Sequence, residues 1–407
     1  MEYFLRAEGS ALKSQLSDAE VATLYSGLAR CCLGLGKHAE ARGYASQAAG
    51  FAVRSGNAIA AAEADVIVAE TESKSGHFRK SLRAAERAYA VLRKEPDSAL
   101  LAEASKVLGT AHAELGNMTA ARDCLTDCLV CNRRLRNDEG VAGAYNNLGI
   151  LAKRSGDLTT AIDYFERALE IDRRLGRPAS IARRLNNLGV ALYRSSRWTE
   201  AEKNLKQAWE IYTRLGAVRD VVAVESALGN LCRVRRDFRG AREYLTRVLR
   251  TSQAEGYRRS EALALEFLGD LERDEGKFDE AGRVLDQALA CAHRLSSMSD
   301  VVGEVLRRRA AVSLALGRLD DAERDCTTAL DLCRKIGDRL EEGAALRVLA
   351  SVSYARGDRA DAEVLAARAE RVQTRNGDPF ELAMTALAGG SGIRLSGPMG
   401  DDELESV

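Results

Sequence analysis

Between Tyr145 and Gly176 small and apolar residues recur at three- and four-residue intervals, first Leu148, Gly149 and Ala152, then Ala161, Phe165 and Ala168. That spacing keeps one helix face apolar and predicts two amphipathic helices. Gly156 and Asp157 break the pattern where a left-handed backbone is cheapest, and Arg173, Arg174, Leu175 and Gly176 close the second helix with cations and a glycine. The unit is a helical hairpin.

The hairpin repeats. Its internal turn falls at Gly36, Gly76, Gly116, Gly156, Ser196, Arg236, Gly276, Gly317 and Gly357, in steps of forty residues with one of forty-one. Five positions later a small residue follows each time: Ala41, Ser81, Ala121, Ala161, Ala201, Ala241, Ala281, Ala322 and Ala362. Turns between hairpins fall at Gly56, Pro96, near Asn137, and at Gly176, Gly216, Gly256, Ser296, Gly337 and Gly377. A fixed period of this length predicts a solenoid in which each hairpin buries its apolar face against the next.

Tyr145, Leu148, Gly149, Gly156, Ala161, Phe165 and Ala168 together resemble the tetratricopeptide repeat, and the match returns in register at Leu188, Gly189, Ala201, Leu205 and Ala208 and at Leu268, Gly269, Gly276, Ala281, Leu285 and Ala288. The resemblance covers nearly the whole chain. The period exceeds the usual length of about 34 residues, Leu28-Ala29, Val68-Ala69 and Leu349-Ala350 replace Leu-Gly, and no proline ends the second helices. The extended unit and its Asn-Asn-Leu-Gly signature look more like the repeats of kinesin light chains, cell-polarity adaptors and bacterial regulatory and signalling proteins. The resemblance implies an all-α, right-handed solenoid of about nine antiparallel hairpins.

The expected organisation is a capping or half-repeat helix over residues 1–16, nine hairpins over 17–377, a capping helix over 378–388 and a disordered acidic tail over 389–407. Ser17 and Asp18 offer a cap to the first full hairpin. The single extra residue belongs near Ser296 to Asp300, in a loop where an insertion is cheap. The half-unit at the start leaves two expectations open, a cap or a piece of a longer array.

Charge changes little in this picture. Sixty basic and sixty acidic residues cancel, so no global field marks a nucleic-acid or membrane protein. Arginine outnumbers lysine roughly four to one, which no physical requirement of the repeat explains. The start of the chain has no basic-then-apolar leader and no apolar run reaches membrane-spanning length, so a cytoplasmic protein is expected. Cysteines agree with a reducing compartment: Cys32 and Cys232 sit three residues after the Leu-Gly glycine position, Cys128 at the second alanine and Cys326 at the aromatic position, all places for small core side chains.

Candidate chemistry is sparse. Gly34-Leu35-Gly36-Lys37 and Gly389-Gly390-Ser391-Gly392 lack the spacing and preceding strand of a phosphate loop. Cys124, Cys128 and Cys131 share a helix face but no fourth ligand stands at useful spacing. His38, His77, His112 and His293 are scattered, with His38 and His77 expected in solvent and none beside a nucleophile. Arg133-Arg134 and Arg173-Arg174 complement helix C-termini. No enzyme, cofactor or metal is expected.

What remains is the concave surface that first helices line in the resembling family. Carried over by register, the fourth to sixth hairpins turn Asn146, Lys153 and Arg154, then Arg183, Asn186, Tyr193 and Arg194, then Ser226, Asn230 and Arg233 toward it, and in the seventh Glu266 and Asp270, with Arg273 and Asp274, reverse the sign. Amides pair with extended backbone and arginines with carboxylates, which suits an acidic or carboxylate-ended peptide or protein partner. The expected function is a non-catalytic interaction scaffold. The alternative is the sensory or autoinhibitory arm of a bacterial signalling or transcription regulator whose effector domain lies elsewhere. A helical-repeat RNA binder is a weaker third reading, since aromatic residues are only 5% and net charge is zero.

Overall fold

The computed structural model describes residues 16–294 and 300–374, and among them the regular structure is entirely α-helical. Eighteen helices follow one another: α1 (Asp18–Gly34), α2 (His38–Arg54), α3 (Ala58–Lys74), α4 (Phe78–Leu92), α5 (Ala99–Glu114), α6 (Met118–Arg134), α7 (Asp138–Arg154), α8 (Leu158–Arg174) and α9 (Pro178–Arg194). The rest are α10 (Trp198–Arg214), α11 (Val218–Val234), α12 (Phe238–Glu255), α13 (Arg258–Asp274), α14 (Phe278–His293), α15 (Asp300–Ala315), α16 (Leu319–Ile336), α17 (Arg339–Ala355) and α18 (Arg359–Thr374). Odd and even helices pair as nine hairpins. The expected capping segments, the acidic tail and most of the inserted loop fall outside the described residues, except Leu16, which is not helical.

Ends are set by local chemistry. The Ser17 hydroxyl accepts from the amide of Glu20 at 3.4 Å while the Glu20 carboxylate accepts from the Ser17 amide at 2.9 Å, a reciprocal cap. Gly36, Gly76, Gly116, Gly156, Gly276, Gly317 and Gly357 take positive φ at the internal turns, where Ser196 and Arg236 do so without being glycine. Between the third and fourth hairpins the left-handed residue is Arg136 rather than Asn137. Asn137 instead caps α7 by accepting from the Gly140 amide at 3.1 Å.

Inside each hairpin the two helices meet at one close approach, and its two sides are matched in size. Where the first helix carries glycine, the residue sixteen positions on is bulky: Gly109 with Leu125, Gly149 with Phe165, Gly189 with Leu205, Gly229 with Leu245, Gly269 with Leu285. A Cβ on any of these five glycines would lie 2.6–2.9 Å from that partner. Where the first helix carries alanine, the partner is small: Ala29 with Ala45, Ala69 with Ala85, Ala310 with Cys326, Ala350 with Ala366. A filled interior forces this trade, because a methyl group added on one side must be removed from the other.

The chain divides into two compact units, residues 1–148 and 149–407, with the division inside α7 between Leu148 and Gly149. The first is alanine-rich at its helix contacts, with Tyr25 stacked on Tyr44 and Phe51 at ring separations of 5.9 and 5.6 Å. There Arg30 of α1 reaches Glu63 of α3 at 3.3 Å and Glu103 of α5 at 3.1 Å, tying three successive first helices. The second unit holds the larger apolar cores, one around Phe165, Leu185, Trp198, Leu205 and Leu231, another around Leu285, Val305, Leu306 and Leu346. Within it α9 touches α11, α11 touches α13, α13 touches α15 and α15 touches α17, so first helices form a continuous inner layer.

Candidate ligand-binding face of the second unit

On that inner layer polar side chains are buried in number: Ser226, Asn230 and Arg233 on α11, Glu266 and Asp270 on α13, Arg308 on α15 and Glu341 on α17. Buried charge persists only when paired, and here the pairs run from helix to helix. Arg233 bridges Asp274 and, at 3.7 Å, Asp270. Arg273 holds Asp270 at 2.9 Å and Asp274 at 2.7 Å. Arg308 reaches back to Asp270 at 2.8 Å and Glu266 at 3.0 Å, and Arg307 holds Glu341 at 2.7 Å.

These contacts push neighbouring carboxyl groups in opposite directions. Burial works against the Asp270 carboxylate, but Arg273, Arg308 and Arg233 outweigh it and hold the group well below the usual range. Burial raises Glu266, Arg308 opposes, and Glu304 and Asp270 raise it further, favouring the protonated acid. For Glu341 burial is again outweighed, by Arg307, Arg308 and Arg194, which bring it down to about 2.

The other end of the layer is basic. The guanidinium of Arg154, at the end of α7, donates from Nη2 to the carbonyl of Ile336 at 2.9 Å. That bond joins the fourth hairpin to the last residue of α16, 182 residues away in the chain. Asp338, two residues beyond Ile336, caps α17 by accepting from the Glu341 amide at 3.1 Å. Burial lowers the Lys153 ammonium to about 8, the positive Arg194 adds to this, and Glu304, Asp300 and Asp338 act against it. Asp338 is raised to about 7 by burial, then by Glu341 and Glu304, with Arg194 pulling the other way. Among the described residues no carboxylate comes within ion-pairing distance of Lys153, Arg183 or Arg194.

The residues expected on the face from sequence therefore divide. Asn146 lies in the first unit, buried, its amide 3.4 Å from the Asn147 carbonyl oxygen. Lys153, Asn186, Tyr193 and Arg194 are half-buried in the second unit and Arg183 is exposed. The Asn186 Oδ1 is buried with no hydrogen-bond partner among the described residues. Ser226 donates to the Val222 carbonyl at 3.1 Å, and Asn230 accepts from Arg233 Nε at 2.9 Å. With Glu266 and Asp270 these last three are committed to internal bonds. His77 is exposed, as expected, and its Nδ1 lies 2.7 Å from the buried Glu72 carboxylate.

Sequence reasoning missed the α15 and α17 contribution. The register offsets that select Arg183 and Asn186, carried past the one-residue insertion, land on Glu304 and Arg307. Asp300, Asp338 and Glu341 fall at the offsets of Arg259, Tyr257 and Ser260 two helices earlier or more, positions that the register argument did not select for the face. Elsewhere Cys32, Cys128 and Cys326 are buried as their positions suggested, Cys232 is half-buried, and burial pushes all four thiols up.

Comparison with known proteins places the fold. The chain is similar in structure to a Rap protein complexed with Competence and Sporulation Factor, at 15% identity over 80% of this chain and 95% of that one, TM-score 0.53. It is similar also to NprR in complex with its cognate peptide NprX, at 13% over 74% and 88%, TM-score 0.54. A third is aspartyl phosphate phosphatase F from Bacillus subtilis, at 11% over 94% and 98%, TM-score 0.54. No curated protein matches by sequence. No helix of the described residues is long and apolar enough to cross a membrane. Residues 140–214 match a tetratricopeptide-repeat model and residues 221–395 the MalT-like TPR region, together more than half of the chain. With nine hairpins in one register and those two matches, the chain belongs to the tetratricopeptide-repeat family.

Proposed function

We propose that this chain is a non-catalytic interaction scaffold whose second unit holds an acidic or carboxylate-ended peptide segment of a partner on its inner face. The observation that carries the reading is the basic end of the inner layer, where Lys153 and Arg194 are half-buried with no carboxylate within ion-pairing distance among the described residues and the Asn186 Oδ1 is buried without a hydrogen-bond partner among them. A ligand carboxylate would add a direct ion pair there, with Arg183 at the exposed rim and the buried Asn186 Oδ1 available to accept a backbone N–H. Internally paired residues from Arg233 to Arg308 stiffen the layer beyond. The structural similarity to a Rap protein complexed with Competence and Sporulation Factor and to NprR in complex with its cognate peptide lends support.

Affinity capture from the source cell tests this, with the intact chain beside a Lys153→Glu, Arg194→Glu variant of unchanged helicity. A partner held by the first and lost by the second, and competed away by a synthetic acidic peptide of that partner, is the expected result. Equal retention by both refutes the assignment of the face.

A second reading, favoured by the match to the MalT-like TPR region over 221–395, is that the scaffold is the sensing arm of a signalling or transcription regulator. It requires that ligand binding change the activity of an effector module, and a ligand that binds without any such change counts against it.

A further inference from the structure

The chain carries, beyond the described residues, the charge that the basic end of its face lacks. Asp401, Asp402, Glu403 and Glu405 stand within five positions with no cation among them. The cations that would receive them run along one side of α9. Arg183 and Arg194, eleven positions apart, fall on the same side of a helix with 3.6 residues per turn, about 16 Å from each other. Lys153 and Arg154 are the register equivalents of Tyr193 and Arg194 one repeat earlier, which sets them beside the Arg194 end. Arg183 is exposed and Lys153, Tyr193 and Arg194 are half-buried, so the run is open to solvent. An extended stretch from 401 to 405 covers about 13 Å, and long arginine side chains make up the difference.

The acids are also within reach. Arg154 donates to the Ile336 carbonyl at 2.9 Å, so the end of α16 lies against the basic end. α17 starts three residues after Ile336, and α18 packs back along α17, which returns Thr374 to the neighbourhood of the start of α17. Two to three helix spacings, about 20–30 Å, therefore separate Thr374 from Arg154. The chain from Thr374 to Asp401 reaches about 40 Å even if wholly helical and about 90 Å if extended.

We infer that the acidic stretch 401–405 docks on the basic end of the inner face of its own chain and competes there with the partner segment. This rests on the function proposed above and adds its regulation. A tethered stretch acts at an effective concentration of about 1 mM, so apparent affinity for a free ligand falls to the fraction of molecules whose face is empty. A partner is admitted only if it outbids that internal competitor, which weak acidic peptides do not.

The test uses full-length chains and two fluorescein-labelled probes read by anisotropy at low salt, an end-amidated peptide of residues 398–407 and hexaglutamate. Asp401→Asn, Asp402→Asn, Glu403→Gln and Glu405→Gln together remove the competitor. Both probes are expected to bind this neutralised variant about tenfold more tightly than the unaltered chain, the gain from removing a tethered competitor that fills nine faces in ten. Adding Lys153→Glu and Arg194→Glu to the neutralised variant should abolish binding of both. Equal binding to the unaltered and neutralised chains overturns the internal competitor and leaves the acidic-ligand reading standing, as does hexaglutamate bound without the 398–407 peptide. A gain seen only at high protein concentration puts the acids on a second copy and overturns the tether. Failure of every chain to bind either probe overturns both readings. If the Lys153, Arg194 variant does not fold, the exposed Arg183→Glu replaces it with a loss of about fivefold expected, and binding that it leaves unchanged overturns the docking of the stretch on this face.

Discussion

Gly189 and Leu205 offer a direct test of the size trade that builds every hairpin. A Cβ placed on Gly189 would sit 2.7 Å from Leu205 Cγ, 2.8 Å from Cδ2 and 3.3 Å from the Ala201 carbonyl oxygen, and Leu205 is fully buried. Overpacking of this kind costs about 2–3 kcal/mol, against a helix-propensity gain of about 1 kcal/mol for alanine over glycine. Gly189→Ala should therefore destabilise by about 1–2 kcal/mol. Leu205→Ala opens a cavity and should cost about 2–5 kcal/mol. In the double variant the new methyl group moves into the space the leucine vacates, and the site becomes the Ala-Ala pair found at Ala29 with Ala45 and Ala69 with Ala85. The double variant should be more stable than the sum of the singles by at least about 1 kcal/mol, a coupling expected of residues in contact. Urea unfolding followed by circular dichroism measures the totals. Hydrogen exchange in α9 and α10 is needed beside it, because repeat arrays need not unfold as one body. Additivity within about 0.5 kcal/mol would refute the idea that the glycine is there for the leucine.

Two further expectations concern the inner face. Arg233→Leu removes one of the guanidinium groups around Asp270 and Asp274, leaving Arg273 on both and Arg308 on the first; a loss of about 3 kcal/mol is expected, the low end for breaking a buried pair, and urea unfolding of the variant with and without Asp274→Asn checks it, since the second change should recover part of the loss. For Asp338, raised from 3.8 to about 7 in the folded chain, the folded state binds the proton more tightly, so this group's stabilising contribution is complete below about pH 4 and fades as pH rises to about 7; Asp338→Asn should flatten the fall in unfolding free energy across that window, and an unchanged slope would show that the carboxyl titrates normally.

How much of this was readable from sequence depends on whether a residue obeys the repeat. The hairpins, their period and the turn positions were legible because nine copies average out local noise, and Ser196 and Arg236 were placed by register though neither favours positive φ. The turn expected near Asn137 has its left-handed residue at the neighbouring Arg136, although asparagine adopts that conformation more readily. The fit of Gly189 with Leu205 and of Ala69 with Ala85 was present in sequence as a sixteen-residue offset. The inner face was only half legible. Register selects which side chains point inward, but not which acid on α13 or α15 each arginine will find, because those partners lie a whole hairpin or more away.

The uneven distribution of pairing along the inner layer has a physical consequence. From α11 to α17 arginines and carboxylates alternate between neighbouring helices, so each hairpin's charge is compensated by the next and a break at one point leaves a buried charge uncovered at another. Such a stretch resists deformation. Near the ends of α7 and α9 Lys153 and Arg194 have no carboxylate within ion-pairing distance among the described residues, and acids on α15 and at the start of α17 act on them from farther off. Compensation between adjacent hairpins survives bending of the unit, whereas compensation from acids several hairpins away changes with it. The basic end is therefore the part of the face whose electrostatic energy depends most on the conformation of the unit, which is the property a ligand needs if its charge is to change the shape of its receptor.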